Sequence, residues 1–161
     1  MYRMRSWSVR HARWLKALYA SFEFVLRLFS PIFRFIGYER LDKPFAAVEK
    51  ATKGFFLDSQ NCGQCIVGFT GLSCPMNCPK KMRNGPCGGV RVDGKCEVDP
   101  EMTCVWVLAW EGNKHFREAP YPIQALQPPV DHRLLGTSAW LREVRHKSGY
   151  QGPEVVAADE V

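Results

Sequence analysis

The N-terminal part of the sequence lacks a long uncharged apolar run, although it is rich in aromatic residues. Its longest uncharged stretches are residues 17–22 and 28–33, whereas a membrane-spanning helix needs about 20 consecutive apolar residues. These stretches are also too short for the apolar core of a secretory signal, and there is no twin arginine. We therefore expect a cytoplasmic protein. The arginine-rich start also faintly resembles a mitochondrial presequence.

Cysteine is absent outside residues 62–104, yet that stretch contains all seven cysteines of the 161-residue chain. An odd number of cysteines, in a compartment that keeps thiols reduced, argues against a disulfide framework. The stretch also has few large aliphatic side chains, so apolar burial can contribute little to its stability. A bound metal would supply the missing stabilisation. The cysteine density therefore predicts a metal or iron–sulfur centre.

Acidic residues are scarce in the first 50 residues, which hold four of them against ten basic ones. Residues 51–161 hold 12 of each sign, so the net charge of +6 lies in the N-terminal arm. A basic arm can contact nucleic acid, an anionic membrane or an acidic protein face. Nucleic acid is not the expected partner, because no finger pattern with a recognition helix is present. We do not expect a membrane partner either.

Residues 8–30 are predicted to form an amphipathic helix, because apolar residues recur at spacings of three and four. This stripe consists of Leu15, Leu18, Phe22, Val25 and Phe29. Basic residues recur about 200° away, on the opposite face. Such a broad stripe has to be covered by the chain's own core, by a partner subunit or by a membrane interface. The sequence leaves these three alternatives open.

The remaining elements are short. Ser30-Pro31 is typical of a helix restart, and Asp42 is expected to cap a second helix over residues 43–53 that Gly54 ends. A short helix is predicted over residues 139–146, capped by Thr137 or Ser138. Residues 105–110 form an apolar segment, helix or strand, and residues 120–129 are proline-rich and extended.

The predicted fold class is a small irregular α+β protein with a cysteine-rich metal-binding module. We expect a basic helical arm for partner docking over residues 1–57 and the cysteine-rich module over residues 58–110. An extended segment with a short helix follows over residues 111–146, and then a disordered tail over residues 147–161. One hairpin is predicted in the module, with Asp93-Gly94 as its turn. In that register Arg91 lies across from Cys96, where a cation favours a metal-binding thiolate.

All seven cysteines are candidate metal ligands, because thiolates suit both zinc and iron–sulfur clusters. They are Cys62, Cys65, Cys74, Cys78, Cys87, Cys96 and Cys104. The pairs 62/65 and 74/78 have the spacing of a four-cysteine zinc site, although only eight residues separate them. Cys-Pro, which occurs at Cys74 and Cys78, also ends the ligand run of bacterial ferredoxins. A [4Fe-4S] cluster and Zn²⁺ therefore both remain open, with these two pairs as the preferred quartet.

Other residues in and near the module have weaker signals. Lys80, Lys81, Arg83 and Arg91 stand among the thiols, as expected on electrostatic grounds around a centre held by four thiolates, which is anionic. His115 and His132 could complete a second site, but an ordinary surface or core role is the simpler interpretation. Cys87 is flanked by glycines and is the next candidate after the quartet.

The cysteine-rich stretch is similar to a known module. The matching motifs are Cys62-Gly63-Gln64-Cys65, Thr70-Gly71-Leu72-Ser73-Cys74-Pro75-Met76-Asn77-Cys78-Pro79-Lys80, Arg83-Asn84-Gly85-Pro86-Cys87-Gly88-Gly89, Gly94-Lys95-Cys96-Glu97-Val98 and Cys104-Val105-Trp106. They resemble the C-terminal domain family of methylenetetrahydrofolate reductase, over residues 62–106. Some members of that family carry a further cysteine where this chain has Ser59. This departure favours one four-thiolate centre over two.

The resemblance implies a role in folate-dependent one-carbon metabolism, as an accessory subunit rather than as the catalyst. A (β/α)₈ barrel needs about 250 residues, and residues 85–89 lack the spacing of a dinucleotide-binding loop. The expected partner is a flavoprotein barrel subunit of a methylenetetrahydrofolate reductase, which would carry the flavin. The N-terminal amphipathic helix would dock onto it. The alternatives are a stand-alone zinc scaffold for protein or nucleic-acid contacts and a small iron–sulfur electron carrier.

Overall fold

Helices dominate the computed structural model, which describes residues 2–116 and 122–149, with the side chains of residues 2 and 3 left aside. Four helices come first in the chain: α1 Tyr2–Arg10, α2 Ala12–Leu28, α3 Ser30–Ile36 and α4 Tyr38–Leu57. The cysteine-rich loop follows with a single 3₁₀ turn, Pro75–Asn77. Helix α5 Val105–Lys114, the 3₁₀ turns Pro122–Gln124 and His132–Leu134, and helix α6 Ala139–Lys147 complete the described chain.

The predicted helix over residues 8–30 is two helices. The chain is already helical from Tyr2, and it breaks at His11, whose ring stacks on Trp7 at 4.6 Å between centroids. The restart at Ser30-Pro31 is confirmed, since α3 begins at Ser30 with Pro31 in its first turn, but Phe29 and not Ser30 occupies the N-cap. Gly37, with φ of +95°, then separates α3 from α4.

The prediction that Asp42 caps the second helix is wrong, because α4 begins at Tyr38 and runs past Gly54 to Leu57. Asp42 lies inside the helix and is buried, and its carboxylate accepts a hydrogen bond of 3.0 Å from the Ser138 N–H. Burial raises the pKa of Asp42, and the Ser138 N–H opposes that rise. Asp42 thus does not cap α4 but accepts a hydrogen bond from the N-cap residue of α6. Asp58, in the left-handed conformation that aspartate tolerates, ends α4.

The α+β prediction is corrected to a mainly helical fold. Over residues 2–116 and 122–149 the chain forms no β-strand, only two isolated antiparallel bridges, Val90 with Cys96 and Lys95 with Thr103. The predicted tail over residues 147–161 lies largely outside the described residues, as does Pro120. None of the described helices is long and apolar enough to cross a membrane.

Two groups of buried apolar side chains hold the helices together. One lies between α2, the end of α4 and the cysteine-rich loop, and the other between α2, α3, α4 and α6. The first contains Ala12, Leu57, Val67, Leu72, Cys74 and Phe116. The second contains Leu26, Phe33, Tyr38, Trp140, Leu141 and Val144. The cysteine-rich loop therefore packs against the helical arm.

A buried polar network joins α4 to α6. Glu49 is only 1% exposed, and its carboxylate accepts hydrogen bonds from Lys53 Nζ at 2.6 Å, Ser138 Oγ at 2.9 Å and the Trp140 N–H at 3.1 Å. Ser138 also accepts from the Leu141 N–H, which confirms it as the cap of α6. Three donors offset the cost of burying the carboxylate.

We predict that Ser138→Ala lowers the free energy of unfolding by about 1–3 kcal/mol, because it removes a helix cap and one donor to a buried carboxylate. The measurement is urea unfolding followed by circular dichroism. The matched control is Ser21→Ala in α2, an exposed serine that bonds only within its own helix, which should change stability by about 0.5 kcal/mol or less. Equal losses for both variants would contradict the role given to Ser138.

Candidate metal centre

Three of the seven cysteines meet at one small cavity. Cys62, Cys65 and Cys74 line it together with Ser59 and Glu49, and its free volume is about 10 Å³. The cavity lies between α4, the start of the cysteine-rich loop and the 3₁₀ turn at residue 75. These thiols belong to the quartet preferred on spacing.

The other four cysteines lie elsewhere. Cys78 is buried but does not line the cavity, and Cys96 is buried opposite Val90. Cys104 is half-buried at the start of α5, and Cys87 is exposed. His115 and His132 are exposed and also lie away from the cavity. Assignment of all seven cysteines as ligands stays a prediction.

The Cys62-Gly63-Gln64-Cys65 segment needs its glycine for two reasons. Gly63 has φ of +71°, a conformation that side chains rarely adopt. A Cβ atom there would also lie 1.9 Å from the Leu134 carbonyl oxygen. Gln64 holds the other side of the loop, because its side-chain oxygen accepts from the Asp131 N–H at 2.8 Å. Residues 131–134 thus pack closely against the segment that carries Cys62 and Cys65.

The surroundings of the buried Cys74 thiol raise its pKa above that of an exposed thiol. Burial raises the pKa of the Cys74 thiol, the backbone N–H groups of Gln60 and Met76 lower it, and the neighbouring Cys65 and Cys62 side chains raise it again. The two N–H groups point to the sulfur as they would to a metal-bound thiolate. A bound cation would supply the remaining stabilisation of the charged form.

A buried cation lies beside these thiols. Lys53 is 4% exposed, and its ammonium lies 5.1 Å from the Trp140 ring centroid and 5.6 Å from the Tyr19 ring centroid. Burial alone would lower the pKa of Lys53, but the nearby Cys65, Glu49 and Tyr19 side chains and the hydrogen bond to Glu49 raise it overall. Lys53 therefore stays charged next to the cavity. The Glu–Lys pair at a spacing of four residues was visible in the sequence, but its burial was not.

Arg83 supplies a second buried cation at the cavity. It is 8% exposed and lines the cavity with the three thiols. Its Nε donates to the Pro128 carbonyl at 2.7 Å and its Nη2 to the Gln64 carbonyl at 3.1 Å. Lys80, by contrast, is exposed and pairs with Glu97 near Cys87. Of the four cations expected among the thiols, Arg83 is buried, and the others, Lys80, Lys81 and Arg91, are exposed.

The predicted hairpin is wrong in register and in form. The Gly94 N–H donates to the Arg91 carbonyl at 2.8 Å and the Arg91 N–H to the Lys95 carbonyl at 2.9 Å, which leaves a three-residue loop. Gly94, with φ of +78°, takes the left-handed position such a loop requires. Cys96 consequently lies opposite Val90, and Arg91 does not face it. The Asp-Gly signal marks the turn, but it does not determine the loop length.

The residue types that line the cavity suit a metal centre, but the described side chains are not yet arranged as a set of metal ligands. Soft thiols, two N–H groups directed at Cys74 and two buried cations suit a thiolate-bound, anionic centre. However, among residues 2–116 and 122–149 no group of three or more His, Cys, Asp or Glu side chains is placed to hold a metal ion. The thiols would have to come closer together to bind one.

We predict that Gly63→Ala lowers the free energy of unfolding by about 2 kcal/mol or more, because the added methyl group meets a carbonyl oxygen at a left-handed position. Chemical denaturation measures it. Gly68→Ala is the matched control, because a Cβ atom at Gly68 has nothing within 4 Å. A Gly63 variant as stable as the Gly68 variant would contradict the described geometry.

Comparison with known proteins supports the resemblance seen in the motifs. A family model described as the C terminal of methylene-tetrahydrofolate reductase matches residues 38–133. The match covers more than half of the chain, begins at the start of α4 and includes the residues that line the cavity, apart from Ala139. No curated protein and no solved structure matches the chain significantly. The chain therefore belongs to the methylenetetrahydrofolate reductase C-terminal family.

Proposed function

We propose that this chain is a non-catalytic accessory module of a methylenetetrahydrofolate reductase-type enzyme, and that it carries a zinc or iron–sulfur centre. The observation that carries the proposal is the meeting of Cys62, Cys65 and Cys74 at one cavity inside the family-matched region. The 161 residues contain no reductase barrel, so flavin and folate chemistry is assigned to a catalytic barrel outside them.

Cys62, Cys65 and Cys74 would hold the centre, with Cys78 as the next candidate from the sequence. Thiolates are the ligands that both zinc and iron–sulfur clusters prefer. When bound, a cluster would carry electrons to or from the partner's flavin, whereas zinc would hold the loop rigid. The residues of the chain exclude water from this region, because Cys62 and Cys74 are 8% and 4% exposed. Lys53 and Arg83 place positive charge beside the thiolates.

The N-terminal helices offer a docking surface for the barrel subunit. In α2, only Ala12 and Leu26 are buried in the core of the chain. The predicted apolar stripe is left largely uncovered, with Leu18 67%, Val25 46% and Phe29 44% exposed. Phe22 contacts the Trp140 ring edge-on, but is still 37% exposed. An apolar stripe on a basic arm fits an apolar protein face with an acidic rim.

The metal assignment is tested by purification without oxygen, followed by the visible spectrum and by counting iron and zinc per chain. We expect serine at Cys62, Cys65 or Cys74 to remove most of the metal, because each substitution deletes a ligand. Cys87→Ser, at an exposed thiol, should leave the metal content unchanged. A protein that holds no metal, or that keeps its metal in all three variants, would refute the proposed centre. Broad visible absorption would identify a cluster, and zinc alone would give none.

Docking is tested by replacing Leu18 and Phe22 together with aspartate and measuring co-purification with the barrel subunit. We expect association to be lost, because two charges would enter an apolar interface. The matched control is Val48→Asp with Thr52→Asp, two exposed positions with the same spacing on α4. If the α2 variant binds the barrel as well as the control does, the helix is not the docking element. A zinc protein with no barrel partner would instead support the stand-alone scaffold.

A further inference from the structure

Arg83 has a buried guanidinium nitrogen that finds no hydrogen-bond partner in the described part of the chain. Two of its nitrogens donate to the Pro128 and Gln64 carbonyls, while Nη1 has no hydrogen-bond partner among the described residues. Arg83 also makes no ion pair with a described carboxylate, even though it is buried, with only 8% of its surface exposed. Buried charges in proteins are normally paired or hydrogen-bonded. This nitrogen can therefore donate to a further acceptor, and a charged donor bonds most strongly to an anionic one.

The surroundings of Arg83 identify that group. The arginine lines the same cavity as Cys62, Cys65 and Cys74. Its Nη2 and the Cys62 sulfur contact the same atom, the Gln64 carbonyl oxygen, at 3.1 Å and 3.5 Å. The guanidinium and the Cys62 thiol are thus held side by side by one backbone oxygen. The carboxylate that lines the cavity, Glu49, is already bonded to Lys53 at 2.6 Å.

The charges agree with this placement. Metal binding converts thiols to thiolates, so Zn²⁺ with three thiolates carries a net charge of −1. Lys53 and Glu49 neutralise each other, which leaves Arg83, the cation among the residues that line the cavity, to balance the centre; Arg142 reaches the same loop at the Gly63 carbonyl but does not line the cavity. A guanidinium is permanently charged and can donate in a fixed planar geometry. Hydrogen bonds to ligand sulfurs are among the interactions that set the metal affinity and the reduction potential of thiolate-bound centres.

We propose that Arg83 is the charge partner and positioning residue of the metal centre, with Nη1 donating a hydrogen bond to a metal-bound thiolate at the Cys62–Cys65 loop. This inference rests on the proposed function. Arg83 is not a ligand, because guanidinium nitrogens have no free lone pair to offer a metal. It holds the loop at the Gln64 carbonyl and directs its free donor to the sulfurs.

The test is the dissociation constant of Zn²⁺, measured by competition with a chelator at one pH, for the full chain and its variants. Arg83→Gln is expected to weaken zinc binding about 10–100-fold, the usual effect of losing an outer partner of a metal ligand. Arg83→Lys keeps the charge but loses the planar geometry, and it should fall between Arg83→Gln and the unmodified protein. Arg91→Gln removes an exposed cation of the same module and should leave the constant unchanged.

A second control separates the unpaired Nη1 of Arg83 from the bond that Arg83 makes to Pro128. Asn84 ties the same two segments together, since its side chain exchanges hydrogen bonds of 2.8 Å with the Gln127 backbone. Asn84→Ala should loosen this tie but leave the zinc affinity within about twofold of the unmodified protein, because the guanidinium remains. If Asn84→Ala costs as much affinity as Arg83→Gln, the effect is loop anchoring and the inference fails.

The remaining outcomes are also decisive. Arg83→Gln with unchanged affinity would overturn the inference while leaving the metal centre intact. If Arg83→Gln does not fold, the Arg83→Lys variant provides the test. A Zn²⁺ affinity of Arg83→Lys equal to that of the unmodified protein would overturn the positioning role. The number of thiolates that bind Co²⁺, read from its charge-transfer absorption, should be the same in all folded variants. An unmodified protein that binds neither Zn²⁺ nor Co²⁺ would refute the proposed function, and the inference with it.

Discussion

The buried Glu49 carboxylate is the interaction on which the rest of the structure depends. A carboxylate that is 1% exposed is tolerated only because Lys53, Ser138 and the Trp140 N–H all donate to it. These donors bring the start of α6 onto the middle of α4. Since Glu49 also lines the thiol cavity, the same group links the helical arm, the C-terminal helix and the candidate metal centre.

The cavity combines features that favour thiolates without yet holding a ligand set. Burial raises the pKa of Cys74, so ionisation of that thiol depends on a cation reaching it. Lys53 provides positive charge from the helical side, although Glu49 largely neutralises it, and Arg83 provides it from the loop side. Metal binding and closure of the loop around the metal are therefore expected to be coupled, as in other thiolate sites.

The helical arm has two distinct faces. Helix α2 buries Ala12 and Leu26 against the rest of the chain and leaves Leu18 and Val25 exposed, as is Phe29 directly after it. The family match begins at residue 38, so α1 to α3 lie outside the region shared with the family. The basic charge and exposed apolar residues of α1 to α3 are therefore not part of the matched region.

Local chemistry determined several elements in advance. The Ser138 cap follows from a serine placed directly before an amphipathic run, and the start of α3 follows from Ser30-Pro31, because both depend only on neighbouring residues. The family could be recognised for a similar reason, since closely spaced cysteines, glycines and prolines form a motif within one stretch. Asp42 failed as a cap because its partner, the Ser138 N–H, lies 96 residues away.

The sequence by itself determined the kind of chemistry: seven thiols in one stretch, the family, and a basic amphipathic arm. Only the tertiary structure decided which thiols share a cavity and which cations reach them. Cys78 is four residues from Cys74 but does not line the cavity, whereas Arg83 and Glu49 do. Spacing along the chain cannot give this result, because the cavity forms where α4, the loop and the start of α6 at Ala139 pack together. Burial of Glu49, Lys53 and Arg83 likewise depends on distant contacts that no local pattern contains.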